Sequence, residues 1–249
     1  MKFRLFLTAF FLMPVAVFAQ AEENFEKGAV PQISPDKAYF LIRTREPEDL
    51  PAGPLLVRAL SPDELIGAME RHKKDPRYKE PPNTVLMDGS IPFAKTGDEK
   101  TLLVAAKPGI YILAAEAHVG SNFKDRGIMA VCLCLGTVRF EAKPGVITDM
   151  GTLLVARDDK PSPIPELASA VRGKFVDISA VTVVVALKPE TDSMPVPESL
   201  ANLPRVTADY RAQRAFPNYF GVPINRLIAI PGVLDYDDDG HVVDLKTTK

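Results

Sequence analysis

Apolar residues occur along this chain in short runs that Pro and Gly interrupt at close intervals. Within residues 102–157 the same turn occurs twice, as Lys-Pro-Gly at residues 107–109 and again at 143–145. Pro presets φ at the second position of a type II turn, and Gly accepts the positive φ of the third. A helix of three turns does not fit between such interruptions. The pattern predicts a mainly β chain folded as an antiparallel β-sandwich.

We expect each Lys-Pro-Gly turn to join the two arms of a hairpin. The predicted arms are residues 102–106 with 110–115, and residues 137–142 with 146–154. Residues 129–135, with the sequence MAVCLCL, are apolar at every position. A strand with one wet face alternates between apolar and polar residues, so this run predicts a strand buried on both faces.

One short helix is predicted to interrupt the strands. Ser61 is a good N-cap, Pro62 suits the first helical position, and Glu64 completes the S-x-x-E capping box. The expected apolar face of this helix consists of Leu65, Ile66 and Met69. Residues 207–215 are compatible with a second, amphipathic helix.

The first 21 residues have the features of a secretory signal peptide. Lys2 and Arg4 precede the apolar residues 5–18, and Ala19-Gln20-Ala21 forms an A-x-A cleavage signal. No later apolar run reaches the ~20 residues that a membrane-spanning helix requires. We therefore expect a periplasmic or secreted protein without a transmembrane segment after signal cleavage.

The mature chain is expected to comprise a β-sandwich core domain, residues 22–157, and a C-terminal extension packed on it, residues 158–249. The boundary is placed at residues 158–165, DDKPSPIP, which have the composition of a linker. The extension contains one strongly apolar run, residues 178–187. Such a run does not stay exposed, so it predicts a strand of the same sandwich or of a second small layer.

Composition narrows the class of partner. The 249 residues are 46% hydrophobic and 25% charged, which is ordinary for a globular protein, and the formal net charge is −2. No basic stripe points to nucleic acid. With only two cysteines, an exported chain is not a disulfide scaffold. The expected partner is an unidentified envelope protein or ligand.

The two cysteines, Cys132 and Cys134, are predicted to lie two residues apart on one strand. On a flat strand their Cα atoms would be roughly 6.6 Å apart, at the far edge of disulfide geometry. Two small buried hydrophobes are the simplest interpretation. A redox pair, or a metal pair with His118 nearby, are the alternatives.

An acidic string near the C-terminus is the most chemically specific motif. Asp235, Asp237 and Asp239, followed by Gly240, match the first half of a calcium-binding loop. The twelfth position holds Lys246 in place of the usual bidentate Glu. The alternative is a β-hairpin with residues 238–240 in its turn. Calcium is therefore the one cofactor under consideration.

The sequence contains almost no indication of catalysis. The histidines are His72, His118 and His241, and no nucleophile elbow, zinc-protease or P-loop string occurs. His118 shares a loop region with Ser121 and Asp125, which leaves an unrecognised hydrolase as one hypothesis. No catalytic residue is assigned on this basis.

Three segments resemble a group of uncharacterised exported proteins of Gram-negative bacteria: residues 108–114 (PGIYILA), 132–154 and 224–247. Their domain of unknown function is similar in style to carboxypeptidase-regulatory and transthyretin-like β-sandwich modules. The resemblance implies a sandwich fold and an envelope location, and it implies no catalytic residues. The leading hypothesis is a non-enzymatic binding or structural module of the envelope. A calcium-stabilised module and a hydrolase near His118 are the alternatives.

Overall fold

A computed structural model of the chain describes residues 23–25, 30–46, 52–75, 83–119, 128–157, 162, 164–168, 183–191, 194–218 and 221–247. The predicted signal peptide, residues 1–21, lies outside these residues. The helices are α1 (Pro62–Lys74) and α2 (Pro165–Ala168). The strands are β1 (Glu23–Asn24), β2 (Ala38–Arg45), β3 (Ala52–Arg58), β4 (Asn83–Leu86), β5 (Ala94–Thr96), β6 (Glu99–Ala106), β7 (Gly109–Val119), β8 (Ile128–Cys132), β9 (Thr137–Ala142), β10 (Ile147–Arg157), β11 (Val183–Lys188), β12 (Arg205–Thr207), β13 (Arg211–Gln213), β14 (Leu234–Tyr236) and β15 (Val242–Asp244).

Most of these strands belong to two sheets that pack against each other, which confirms the predicted mainly β, antiparallel sandwich. The first sheet has the order β1-β6-β2-β10-β11, with β5 also on β6 and β12 also on β10. The second has the order β13-β9-β7-β3-β4, with β8 also on β7. Strands β14 and β15 form a separate hairpin. Two pairs, β2 with β10 and β10 with β12, are parallel.

The two Lys-Pro-Gly turns do not close hairpins, so that prediction is wrong. Strands β6 and β10 belong to the first sheet, whereas β7 and β9 belong to the second. Each turn therefore carries the chain from one sheet to the other. Val104 and Tyr111, on either side of the first turn, reach the same core between the sheets. A turn between the two sheets buries the apolar residues of both flanking strands just as a hairpin turn would.

Aromatic rings fill the centre of the core between the sheets. Phe40 of the first sheet lies against Tyr111 and Phe140 of the second, with ring centroids 4.7 and 5.9 Å apart. The outer face of the first sheet is also covered, because Tyr39 and Leu41 pack in a second cluster. Strand β2 is thus buried on both faces, which explains its nearly continuous apolar sequence.

The chain after Arg157 contributes strands to both sheets. The described part of the apolar run at 178–187 lies in β11, which pairs with β10 in the first sheet, as one of the two predicted outcomes. The predicted helix over 207–215 is wrong, since β13 pairs there with β9. Tyr210 enters the core and donates its hydroxyl hydrogen to Met150 O at 2.7 Å. Tertiary pairing and the burial of this ring override a weak helical pattern.

Residues 223–228, here called the strap, connect the two sheets along one side of the sandwich. Asn225 N–H donates to Cys132 O, at the end of β8 in the second sheet, over 2.7 Å. Three residues later, Ile228 N–H donates to Val185 O of β11 in the first sheet, over 3.0 Å. The strap therefore pairs with the outer edge of β11, which would otherwise present unpaired backbone groups.

The predicted inserted helix is present as α1, between the adjacent strands β3 and β4. Its capping box forms as expected, since Ser61 Oγ accepts from Glu64 N–H and the Glu64 side chain accepts from Ser61 N–H. Met69, expected on the apolar face, is 64% exposed, so its predicted burial is wrong. The side chains of Leu65 and Ile66 lie outside the described part of the structure.

Candidate functional site

A cleft of ≈ 290 Å³ lies between strand β13, at the edge of the second sheet, and the β14–β15 hairpin. Both walls come from the C-terminal third of the chain, and β9 contributes Arg139 beside them. The described residues that line it are Arg139, Ala212, Gln213, Arg214, Val242, Asp244 and Thr247. We refer to it as the arginine cleft.

Strand alternation brings the arginines together. In β9, Val138 and Phe140 are buried in the core, so Arg139 between them points outward and is exposed. Arg211 of β13 lies directly opposite Arg139 in the antiparallel pair. Like charges at opposed positions destabilise a sheet unless a counter-charge compensates them.

Asp244 of β15 supplies that counter-charge. Its Oδ2 accepts hydrogen bonds from Arg211 Nη2 at 2.9 Å and Arg211 Nε at 3.2 Å. Burial alone would raise the pKa of Asp244, but the Arg211 hydrogen bonds, the Lys246 N–H and the Arg139 charge outweigh it and lower that pKa. The carboxylate therefore stays ionised and links the hairpin to the edge of the sheet.

The arginine cleft keeps an excess of positive charge. Asp244 is the only carboxylate among the described lining residues, and Arg211 already binds it. The guanidinium groups of Arg139 and Arg214 are both on exposed side chains. A guanidinium presents a planar fork of donors that matches a carboxylate or a phosphate. The volume is at the lower end of ligand pockets, which suits a small anion or one acidic side chain.

The acidic string forms a hairpin turn, as the alternative interpretation predicted. Asp237 Oδ1 accepts the N–H groups of His241 at 2.8 Å and Asp239 at 3.1 Å. The His241 hydrogen bond is the largest cause of the lowered pKa of Asp237. Among the described residues no three acidic, His or Cys side chains form a group suited to a metal. Calcium binding by Asp235, Asp237 and Asp239 stays a prediction.

Cys132 and Cys134 form a disulfide, with their Cα atoms 5.1 Å apart. The expected flat strand through both residues is wrong, because β8 ends at Cys132 and a turn follows. That turn shortens the distance between the Cα atoms into the usual disulfide range. Both residues are buried, as the apolar pattern predicted. A redox role for the pair stays a prediction, and a disulfide offers a metal no thiolate.

The hypothetical hydrolase site falls largely outside the described residues. The backbone of His118 lies in β7, opposite Ala52 of β3 and Met129 of β8. Its side chain is outside the described part of the structure, as are Ser121 and Asp125. Catalysis near His118 therefore stays a prediction.

A buried ion cluster was missed at the level of sequence. Arg43 binds Asp149 through two hydrogen bonds, of 2.9 and 3.1 Å, and each side chain is only 1% exposed. Arg205 of β12 adds a third contact to the same carboxylate at 2.7 Å. The signal available was one charged residue, Arg43 or Asp149, inside each of two mostly apolar strands. Arg43 and Asp149 are enclosed, whereas Arg205 is 30% exposed. Because both arginines bind the one buried carboxylate, we interpret the cluster as structural.

Comparisons of this chain with protein families, curated proteins and solved structures found no match. The resemblance to exported β-sandwich proteins therefore stays a prediction made from the sequence. In the part of the chain that the structure describes, no helix is both long and apolar enough to cross a membrane.

Proposed function

We propose that this protein is an exported, non-enzymatic binding module of the cell envelope, periplasmic or secreted, whose ligand is an acidic peptide. The arginine cleft is its binding site. Arg139 and Arg214 contact the acidic side chains of the peptide, and Ala212 and Val242 supply apolar contacts between them. Arg211 and Asp244 hold the two walls at a fixed distance.

The observation that carries this proposal is the imbalance of charge in the cleft. Arg139 and Arg211 face each other across two strands at an energetic cost. One carboxylate compensates part of that charge, and Arg214 adds more on the same side. Such an arrangement favours an anionic ligand over a neutral or cationic one.

The test is a titration of the protein with the peptide Glu-Glu-Glu and, in parallel, with Gln-Gln-Gln, followed by NMR of the arginine side-chain Nε–H groups. We expect Glu-Glu-Glu to shift the resonances of Arg139 and Arg214 and to bind at least about tenfold more tightly than Gln-Gln-Gln. Because the site is open to solvent, its affinity should fall as salt is raised.

Two variants make the titration specific to the site. The double variant Arg139→Ala/Arg214→Ala should lose most of the affinity without loss of stability, because both side chains are exposed. The matched control is Lys143→Ala, which removes an exposed cation from a turn outside the cleft lining. Equal binding of the two peptides, or equal loss in both variants, would contradict the proposal.

A further inference from the structure

The disulfide between Cys132 and Cys134 lies directly beneath the strap. Besides the Asn225 bond described above, Cys132 N–H donates to Pro223 O at 2.8 Å. Within the same turn, Leu135 N–H donates to Asn225 O at 3.0 Å, and Phe216 N–H donates to Cys134 O at 3.1 Å. The backbone groups of the bridged turn are therefore the template onto which the C-terminal part of the chain docks.

The turn also supports the hairpin that walls the arginine cleft. Leu227 N–H donates to Gly136 O at 2.9 Å, and Tyr236 Oη donates to Leu227 O at 2.6 Å. A Cβ added to Gly136 would lie 2.7 Å from both the Tyr236 ring and Val242. Such close packing makes the position of β14 and β15 dependent on the shape of this turn.

We propose that the Cys132–Cys134 disulfide is a redox-sensitive lock on the strap, and that its reduction loosens the strap and the hairpin. On the assumption that the proposed function holds, reduction also weakens ligand binding in the arginine cleft, because Val242 and Asp244 of the hairpin form one of its walls. The inference about the strap itself does not depend on the ligand.

The reductant is a dithiol, and the reaction is ordinary thiol–disulfide exchange. One thiolate of the reductant attacks a sulfur of the pair, the Cys132–Cys134 bond breaks, and a mixed disulfide forms. The second thiolate then releases the protein sulfur and closes the disulfide of the reductant. Two electrons and two protons reach the protein, which leaves Cys132 and Cys134 as thiols.

Oxidation and docking stabilise each other in this arrangement. Both cysteines are buried, and the backbone of their turn is hydrogen-bonded to the strap. On this proposal a dithiol reaches the sulfurs when the strap opens. Because linkage is reciprocal, a bond that favours the docked strap is itself protected when the strap is docked. Without the cross-link the turn has more accessible conformations. Its backbone groups are then held less firmly in the positions from which they hydrogen-bond the strap.

The test is amide hydrogen exchange of the oxidised and the dithiol-reduced protein. We expect the amides of Phe216, Asn225 and Leu227 to exchange about tenfold faster after reduction, the effect of removing a short cross-link. Amides in the β2–β6 ladder are the internal control and should not change. Exchange rates at the strap that are the same in both redox states would overturn the proposal.

The variant Cys132→Ala/Cys134→Ala separates the lock from other effects of the dithiol. It should show the fast strap exchange without reductant and no further response to it. If this variant keeps the slow amide exchange of the oxidised protein, the proposed role of the disulfide as a lock is also contradicted. A parallel titration with Glu-Glu-Glu tests the link to the cleft: if the oxidised protein does not bind it, the proposed function fails, while the exchange rates still decide the lock.

Discussion

Arg43 with Asp149 and Arg58 with Glu64 are both ion pairs with two hydrogen bonds, yet their surroundings differ. The first pair is 1% exposed on each side, and removal of one partner from a buried pair costs about 3–5 kcal/mol. Loss of Arg43 should cost less than loss of Asp149, because Arg205 still contacts the Asp149 carboxylate. In the second pair Glu64 is 39% exposed, and water screens the interaction. Exposure, more than bond geometry, sets the energetic weight of each pair.

Glu64 gives a pH-dependent prediction. The hydrogen bonds from Arg58, followed by the Ser61 N–H, lower the pKa of Glu64 from 4.5 to about 2. A carboxyl whose pKa is lowered by folding adds stability above its unfolded pKa, and that contribution disappears as the pH falls through the folded pKa. Wild type should therefore be more stable than Glu64→Gln at pH 7, by about 1 kcal/mol or less. The difference should shrink between pH 4.5 and about 2.

Urea unfolding at a series of pH values measures this difference. The control is Glu70→Gln, which changes an exposed carboxylate on the same helix. If the difference in unfolding free energy between wild type and Glu64→Gln stays constant down to pH 2, the Arg58 contact does not lower the pKa of Glu64.

For single side chains, the sequence predicts contacts between residues that lie close together in the chain. The spacing from Ser61 to Glu64 identifies the capping box, because both partners lie within one helical turn. The partners of Asp149 are 106 and 56 residues away in sequence, at Arg43 and Arg205. No spacing rule connects residues so far apart, so only the folded chain shows the cluster.

Among the elements, β10 carries two partners on one of its edges. Its first half pairs with β12, from Ile147 to Asp149, and its second half pairs with β11, from Thr152 onward. The register with β2 shifts at the same place. Gly151 lies at this change with a φ of +84°, a conformation that residues with a Cβ rarely adopt.

We expect Gly151→Ala to destabilise the protein by about 3 kcal/mol or more, because strain and a backbone clash act together. An added Cβ would lie 2.2 Å from Lys188 O and 2.6 Å from Glu190 N. The matched control is Gly232→Ala, where φ is +73° but no atom lies within 4 Å. That variant should lose only about 1 kcal/mol. Similar losses in the two variants, measured by urea unfolding, would exclude the clash as the cause.

The positions of the strands could be predicted from the sequence far better than their partners. Runs of β-branched and apolar residues between Pro and Gly mark β6, β7, β9 and β10 correctly. A Lys-Pro-Gly turn gives the chain the same local geometry whether the next strand joins the same sheet or the opposite one. The choice depends on which edge is free in the assembled sandwich, and local sequence carries no information about that.

The C-terminal part of the chain contributes to both sheets of the molecule. Strands β11 and β12 extend the first sheet, β13 extends the second, and the strap joins the two. The arginine cleft exists only where these late strands meet β9. Its charged residues are scattered from Arg139 to Asp244, so the sequence pointed instead to the compact acidic string.

Removal of residues 221–249 should therefore abolish the cooperative unfolding transition rather than lower its midpoint. The deletion takes away Leu227 and Leu234, both completely buried, and exposes the edge of β11. The control is Lys246→Ala, which removes only a surface ion pair with Asp209 and should unfold like wild type. A shortened chain that still unfolds in one sharp thermal transition would show that the sandwich closes without its strap.

The strap also determines when the fold can be completed. Ribosomes deliver the N-terminus first, and β2 must wait for its parallel partner β10, more than a hundred residues later. The strap that joins both sheets lies later still in the chain. Pairings so distant in sequence form slowly. A nascent chain therefore stays open until the strap has been made, which is compatible with the proposed export of the protein as an unfolded polypeptide.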